Sequence, residues 1–302
     1  MSLHQSISHL TKQEQTDLRQ IVKTLSATVH PLLLYCYGMR SSLQLHRSCF
    51  TQKRKSNSGH SVYDLLMVLH DKEALTDEAV TLVAKRMIGS STNTNILVHR
   101  FSFMKTQLLE MNFFFTWVHR SAILLINRDN SFAQLPPSNK KTDILPASQQ
   151  THIAIKEKLD KAKSLLTSVQ AQWTLQPYGA TLGLIKEAAT EIMKALLVTG
   201  LGYDPIGCSI EMMMKLSENF TTIPADSFPA NTAEEKNIYS LLTTEMAPEK
   251  INHTTMMVLL NRVKELKQKV NDYRFSNQTL LKLPQCLSVS DIKFSQQQQG
   301  QT

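Results

Sequence analysis

Glycine and proline are scarce in this chain, 9 and 10 of 302 residues. Folds built from many short strands use both in their tight turns, so the shortage disfavours an all-β architecture and favours helix. Cysteine is sparse too. The four present, Cys36, Cys49, Cys208 and Cys286, form no Cys-x-x-Cys pair and no regular framework. A disulfide-stapled secreted module is therefore not indicated, and free thiols in a reducing cytoplasm are expected. No apolar run approaches the ~18 residues that a membrane-spanning helix requires. The opening residues, MSLHQSISHLTKQEQTDL, lack the apolar centre of a secretory signal. No aromatic residues are interleaved with the basic ones, as a base-stacking surface would need.

What is present is enough apolar material for sizeable cores, 42% of the chain, and a net charge of +8. The charge is uneven. Residues 1–130 hold 15 Lys and Arg against 9 Asp and Glu, and residues 131–302 hold 18 against 16. Lys53, Arg54 and Lys55 form the densest basic run. Such a run is either a solvated loop or a contact for a phosphate-bearing polyanion.

Periodicity divides the chain. Thr11-Lys-Gln-Glu14 is a capping box, and Leu18, Ile21, Val22 and Leu25 follow at helical spacing, which predicts a helix over 11–28. Pro31–Tyr37 is a dense apolar run ending at Gly38, the signature of a buried strand and a turn. Residues 40–60 are polar and basic and read as a loop. Ser61–Leu69 and Asn95–His99 predict further strands, and Ala122–Ile126 a fourth. Between them, Thr76-Asp-Glu opens a helix whose apolar face is Val80, Val83, Ala84 and Met87, and a second helix is expected over 103–117. After a Pro-containing connector, residues 131–150, only helical spacing remains. Ile155, Leu159, Ala162, Leu166 and Val169 line one helix, and Leu182, Ile185, Ala189, Ile192 and Leu196 a second, stopped by Gly200 and Gly202. A short helix follows over Met212–Phe220. Thr232-Ala-Glu-Glu235 caps another, and Met256, Leu259, Val263, Leu266 and Val270 line the last. The expected architecture is α+β: a mixed α/β domain over 1–130, a linker over 131–150, an up-and-down helical bundle over 151–275, and a polar, disordered tail over 276–302.

The segment Leu32–Leu69 resembles the core of a minimal nucleotidyltransferase. In that family a strand ends in Gly-Ser, whose backbone approaches nucleotide phosphates, and a later strand carries Asp-x-Asp to hold divalent metal. Gly38 and Asp64 match that pattern; Met39 stands at the Ser position, Val62 at the first Asp, and Leu97 and His99 where a third acid would lie. The resemblance implies a nucleotide site at Gly38, Arg40 and Asp64 and Mg²⁺ as the metal, with Asp64 as its one carboxylate. Hard cations need several charged oxygens to offset their dehydration, so one carboxylate predicts poor Mg²⁺ binding. A structural reading stands beside it, Asp64 as a strand-end acceptor for backbone N–H groups.

The second half, His152–Val270, resembles the HEPN (higher eukaryotes and prokaryotes nucleotide-binding) family. The resemblance rests on Tyr178–Pro205, with its Ala-Ala-Thr-Glu cluster and the Gly stop, and on Phe228–Glu235. HEPN domains occur fused to or paired with minimal nucleotidyltransferases. Ribonuclease members place an Arg four to six residues before a His near the start of the last long helix, a pair that can bind phosphate and move a proton. Here His253 is present, but Lys250 is only three residues ahead and Pro248 interrupts; the Arg-to-His spacing occurs at Arg40 and His46, in the other half. Lys186, Glu187 and Glu191 read either as a solvated flank or as the polar lining of a bundle groove. The resemblances imply a non-catalytic protein binding nucleotide, RNA or a protein partner, as a homodimer through the bundle. The alternative is an active nucleotidyltransferase or ribonuclease of a toxin–antitoxin or defence system, using Asp64 or His253.

Overall fold

The computed structural model describes residues 7–8, 10–41, 45–48, 51–55, 61–89, 92–137, 149–173, 178–244 and 251–280. The chain is mixed α/β followed by a helical region. Helix α1 spans Lys12–Thr28 and starts with the expected Thr11–Glu14 capping box. The sheet strands are β1 (Leu33–Ser41), β2 (Leu45–Ser48), β3 (Thr51–Lys55), β4 (Val62–Leu69), β5 (Asn93–Arg100) and β6 (Ile123–Asn127). Their order is β3-β2-β1-β4-β5, with β6 also on β1. β6 pairs with Leu33–Cys36 and β2 with Gly38–Ser41, so the two lie end to end along one edge of β1. β4 and β5 run parallel, and the other pairings are antiparallel.

The hairpin β2–β3 corrects the loop expected over 40–60. Its strands are polar and show no apolar alternation, so the period-2 signal that marks a half-buried strand is missing. The expected helix over 103–117 is two helices, α3 (Phe101–Leu109) and α4 (Phe113–Ser121). Met111 takes a left-handed backbone (φ 54°) and Asn112 caps the second helix by accepting from Phe115 N–H. On α2 (Asp77–Ile88) the buried stripe is Val80, Ala84 and Ile88, while Val83 and Met87 face solvent. The stripe runs i, i+4, i+8 and leaves those two on its flank.

The helical region comprises α5 (Gln149–Ala171), α6 (Tyr178–Leu201), α7 (Ile210–Ser217), α8 (Ile223–Ser227), α9 (Ala233–Thr243) and α10 (His253–Leu280). Every residue expected on the apolar faces of α5, α6 and α10 is buried. Gly202, at φ 61°, follows the end of α6. α8, begun by Pro224, was not expected from the sequence. The tail beyond 280 lies outside the described residues, as does most of the expected linker. No described helix is long and apolar enough to cross a membrane.

Side chains of β1 alternate between two cores. Leu34, Cys36 and Met39 meet α1 and α2 on one face, through Leu18, Ile21, Leu25, Val80 and Ala84. Leu33, Tyr35 and Tyr37 face the other way, into a cluster that runs through α3 and α4 to α5, α6 and α10 without a break. Aromatic rings make the join. Tyr203, just past α6, stacks on Phe114 at 4.8 Å between ring centroids, and its hydroxyl lies 3.0 Å from His99 Nε2 on β5. His99 in turn stacks on Phe103 at 4.7 Å. Nearby, His119 Nδ1 is 3.0 Å from the Tyr35 hydroxyl and its ring lies against Phe132.

Burial pushes both imidazoles down from 6.5 to about 4. Between those values an unfolded chain binds protons that the folded chain refuses. Stability from these two groups is therefore full above pH ~6.5 and declines as the pH falls toward ~4. Urea unfolding should show a lower midpoint at pH 5 than at pH 7. The His99→Gln/His119→Gln variant should show a smaller drop, and an equal drop would remove these residues as the cause.

Candidate functional site

A β-bulge sets up the cluster around Asp64. The register of β1 against β4 shifts between Cys36 and Gly38, and Gly38 then lies opposite Asp64. Asp64 is on the same face of β4 as Leu66 and Val68, which is the face turned to the helical region. On the far side of β4, in parallel register, Asn95 of β5 lies beside Asp64.

The polar groups here hold one another. Arg40 Nη2 donates to both carboxylate oxygens of Asp64, at 3.1 and 3.3 Å. Asn95 Nδ2 donates to Asp64 Oδ1 at 2.7 Å. Arg40 Nη1 also pairs with Glu218, from the segment after α7. Asp64 is fully buried, and Arg40 keeps 6% of its surface exposed. An isolated buried carboxylate would be costly, and a guanidinium nitrogen shared between its two oxygens, with an amide donor, offsets that cost. Asn219 closes the space above Gly38. A Cβ at Gly38 would collide with Asn219 Oδ1 and would come within 2.7 Å of Asp64 Oδ2. Glycine is required by this close approach. Asn219 Oδ1 has no hydrogen-bond partner as oriented, while its Nδ2 donates to Leu216 O at 3.3 Å. Rotating the amide would aim a donor at that crowded space beside Asp64.

Gly38, Arg40 and Asp64, the residues expected to bind nucleotide, are thus brought together. They form a closed cluster, with a guanidinium against the one carboxylate that would hold Mg²⁺. The residues present do not fit a divalent cation, because Arg40 occupies both Asp64 oxygens and also pairs with the other acid of the cluster, Glu218, while Asn95 and Asn219 are neutral amides. Among the described residues no group of three or more His, Cys, Asp or Glu is placed to hold a metal ion.

The remaining candidates are dispersed. Lys53, Arg54 and Lys55 lie on β3, with Arg54 opposite His46 and Lys55 opposite Leu45 in the hairpin register; their side chains fall outside the described set. Arg40 and His46 are register partners across β1 and β2, and the Arg40 guanidinium is committed to Asp64 and Glu218. His253 is the exposed first residue of α10, and its Nε2 accepts from Trp173 Nε1 at 2.7 Å. The rings meet edge to face, 5.4 Å between centroids. Lys250 and Pro248 lie outside the described residues. Lys186 reaches the Thr244 carbonyl beyond α9. Glu187 and Glu191 turn instead to Lys161 of α5, at 3.0 and 3.2 Å. The three do not line one groove.

Sequence reasoning missed Asn95, Glu218 and Asn219. The signal available was weak: a polar residue inside an apolar strand, and a Glu-Asn pair after a Met-rich helix.

No family model matches the chain, and no curated protein matches it. A solved structure of a nucleotidyltransferase-like protein from Exiguobacterium sibiricum aligns with 88% of this chain and 79% of its own length, at 10% identity and a TM-score of 0.27. A likeness that loose transfers no residue and no chemistry.

Two stability effects follow. Asp64→Ala leaves the buried Arg40 guanidinium with Glu218 as its remaining partner and should cost about 2–4 kcal/mol of unfolding free energy, read by urea denaturation. Gly38→Ala should cost about 1–3 kcal/mol through overpacking, and adding Asn219→Ala should recover part of it. Strict additivity of the two changes would show that Asn219 does not press on Gly38.

Proposed function

We propose that this chain is a non-catalytic binding protein: a sheet unit of nucleotidyltransferase type serves as the anchor for a HEPN-type bundle, and ligands are bound by the helices. One observation carries the reading. The only acidic side chain at the nucleotidyltransferase-like position, Asp64, is held by Arg40 and Asn95 under a cover of helices. Metal-dependent nucleotidyl transfer needs carboxylates open to a cation and a path for the attacking group. A buried, fully partnered carboxylate supplies neither. The ribonuclease alternative rests on His253, whose Nε2 accepts from the Trp173 indole, which leaves the ring proton on Nδ1. No arginine stands four to six residues before it in sequence.

The test is direct. The full chain is incubated with labelled ATP, Mg²⁺ and candidate acceptors, both RNA and protein. Every acceptor should stay unlabelled, with wild type and Asp64→Asn alike. Label transfer by wild type that Asp64→Asn abolishes would overturn the reading.

A further inference from the structure

Helices α5 and α10 run antiparallel; Trp173 after the end of α5 meets His253 at the start of α10. Between them lies a groove of about 630 Å³. Its floor includes the buried Leu159 and Leu166. Its walls carry five cations: Lys156 and Lys163 from α5, and Lys264, Lys267 and Arg274 from α10. Asp160 is the one acid among the described lining residues.

These cations differ from the other lysines of the same helices. Lys158 is paired with Asp204 at 2.7 Å, Lys161 with Glu187 at 3.0 Å, and Lys269 with Glu265 at 2.6 Å. Among the described residues no ion pair reaches any of the five groove cations. Lysines outside the groove are neutralised, and those inside are left charged. The cost of that arrangement is visible at Lys267. Burial pushes its ammonium down from the ordinary lysine value, Lys163 beside it adds to the effect, and Asp160 opposes it only in part. The Arg274 Nε is buried with no hydrogen-bond partner among the described residues. A row of close, unneutralised cations in a groove gives a site for an anion that carries several charges.

We propose that the groove between α5 and α10 binds the sugar–phosphate backbone of a single-stranded nucleic acid. The proposal rests on the reading of the chain as a non-catalytic binding protein and names the class of its ligand. Shape favours a strand. The lining residues of α5 run from Lys156 to Gln170, roughly 21 Å along a helix. One extended backbone can lie along a groove of that length. Over that span a strand presents about three to six phosphates, depending on how far it is stretched. Five cations match that number. Among the described residues no aromatic side chain lines the groove, so bases find no stacking platform there and face outward. Thr167, Gln170 and Asn271 add neutral hydrogen-bonding groups. Recognition is then of the backbone and is independent of sequence.

The experiment is fluorescence anisotropy of the full chain with labelled oligo(U) and oligo(dT), titrated between about 50 and about 200 mM salt. Both should bind at the lower salt, and tighter binding of oligo(U) would identify RNA as the source of the backbone. Each phosphate contact on a single strand contributes about −0.7 to the slope of log K against log salt, so a slope of about −2 to −4 is expected. Lys163→Glu/Lys267→Glu should weaken binding at least ~10-fold and flatten the slope by about 1.4. Lys161→Glu/Lys269→Glu, on the same helices outside the groove, should bind as wild type does. If the charge reversal fails to fold by circular dichroism, Lys163→Gln/Lys267→Gln gives the same reading with smaller effects. Absence of binding at low salt, or equal losses in the groove and control variants, overturns the proposal. So does binding of poly-glutamate in preference to both oligonucleotides, which would mark an acidic protein as the partner. A gel of the oligonucleotides after incubation separates the two readings. Cleavage would sink the non-catalytic reading and leave the groove to stand or fall on the anisotropy.

Discussion

Everything in this structure is referred to one strand. β1 is the centre of the sheet, and its side chains alternate between a core shared with α1 and α2 and a core shared with the helical region. A strand in that position cannot slip by one residue, because every side chain would change cores. Tyr35 and Tyr37 would then enter the face built for Leu34 and Cys36. The register of β1 thus fixes both how α1 docks and how the later helices reach the sheet. The bulge at Cys36–Gly38 interrupts that alternation. It is also where the polar cluster begins, in keeping with the way a bulge re-aims the side chains that follow it.

The Arg40–Asp64 pair is a consequence of that geometry. After the bulge, Arg40 and Asp64 both meet the helix-covered side, where water is excluded. Neither charge could stay there alone, and the pair with Asn95 and Glu218 is the arrangement that leaves neither exposed to an apolar wall. A well-packed apolar replacement of the whole cluster would cost little, and removal of a single member costs much. The cluster therefore acts as a constraint on register and on the seating of the α7–α8 segment more than as a source of net stability. The same burial that makes it structural removes Asp64 from solvent.

Much of this architecture could be read in the chain. The capping boxes at Thr11 and Thr232, the apolar runs that became β1, β4, β5 and β6, and the faces of α5, α6 and α10 are local patterns, and each was found where expected. The hairpin β2–β3 was not legible because polar strands carry no period-2 signal. The break between α3 and α4 was hidden because Glu110-Met-Asn112 contains neither Gly nor Pro, although Met111 takes the left-handed backbone. The candidate site was half legible. Gly38, Arg40 and Asp64 were marked by resemblance, and they do meet. What their meeting means depends on Asn95 and on Glu218–Asn219, residues 31 and more than 150 positions from Asp64. Contacts at such separations leave no local trace in a single sequence.

The charge distribution shows the same limit more sharply. By count, the basic excess belongs to residues 1–130, and the helical region looks nearly balanced, 18 cations against 16 anions over 131–302. Folding sorts those charges. Carboxylates such as Asp204, Glu187, Glu191 and Glu265 are spent on lysines outside the groove, and the cations of the strip between α5 and α10 have no ion-pair partner among the described residues. Exposed ion pairs contribute little stability, typically about 0.2–1 kcal/mol each. Their larger effect here is on the field: they cancel the positive charge everywhere on these helices except in the groove. A count of charges measures the total, and a ligand responds to what remains after the pairs have formed.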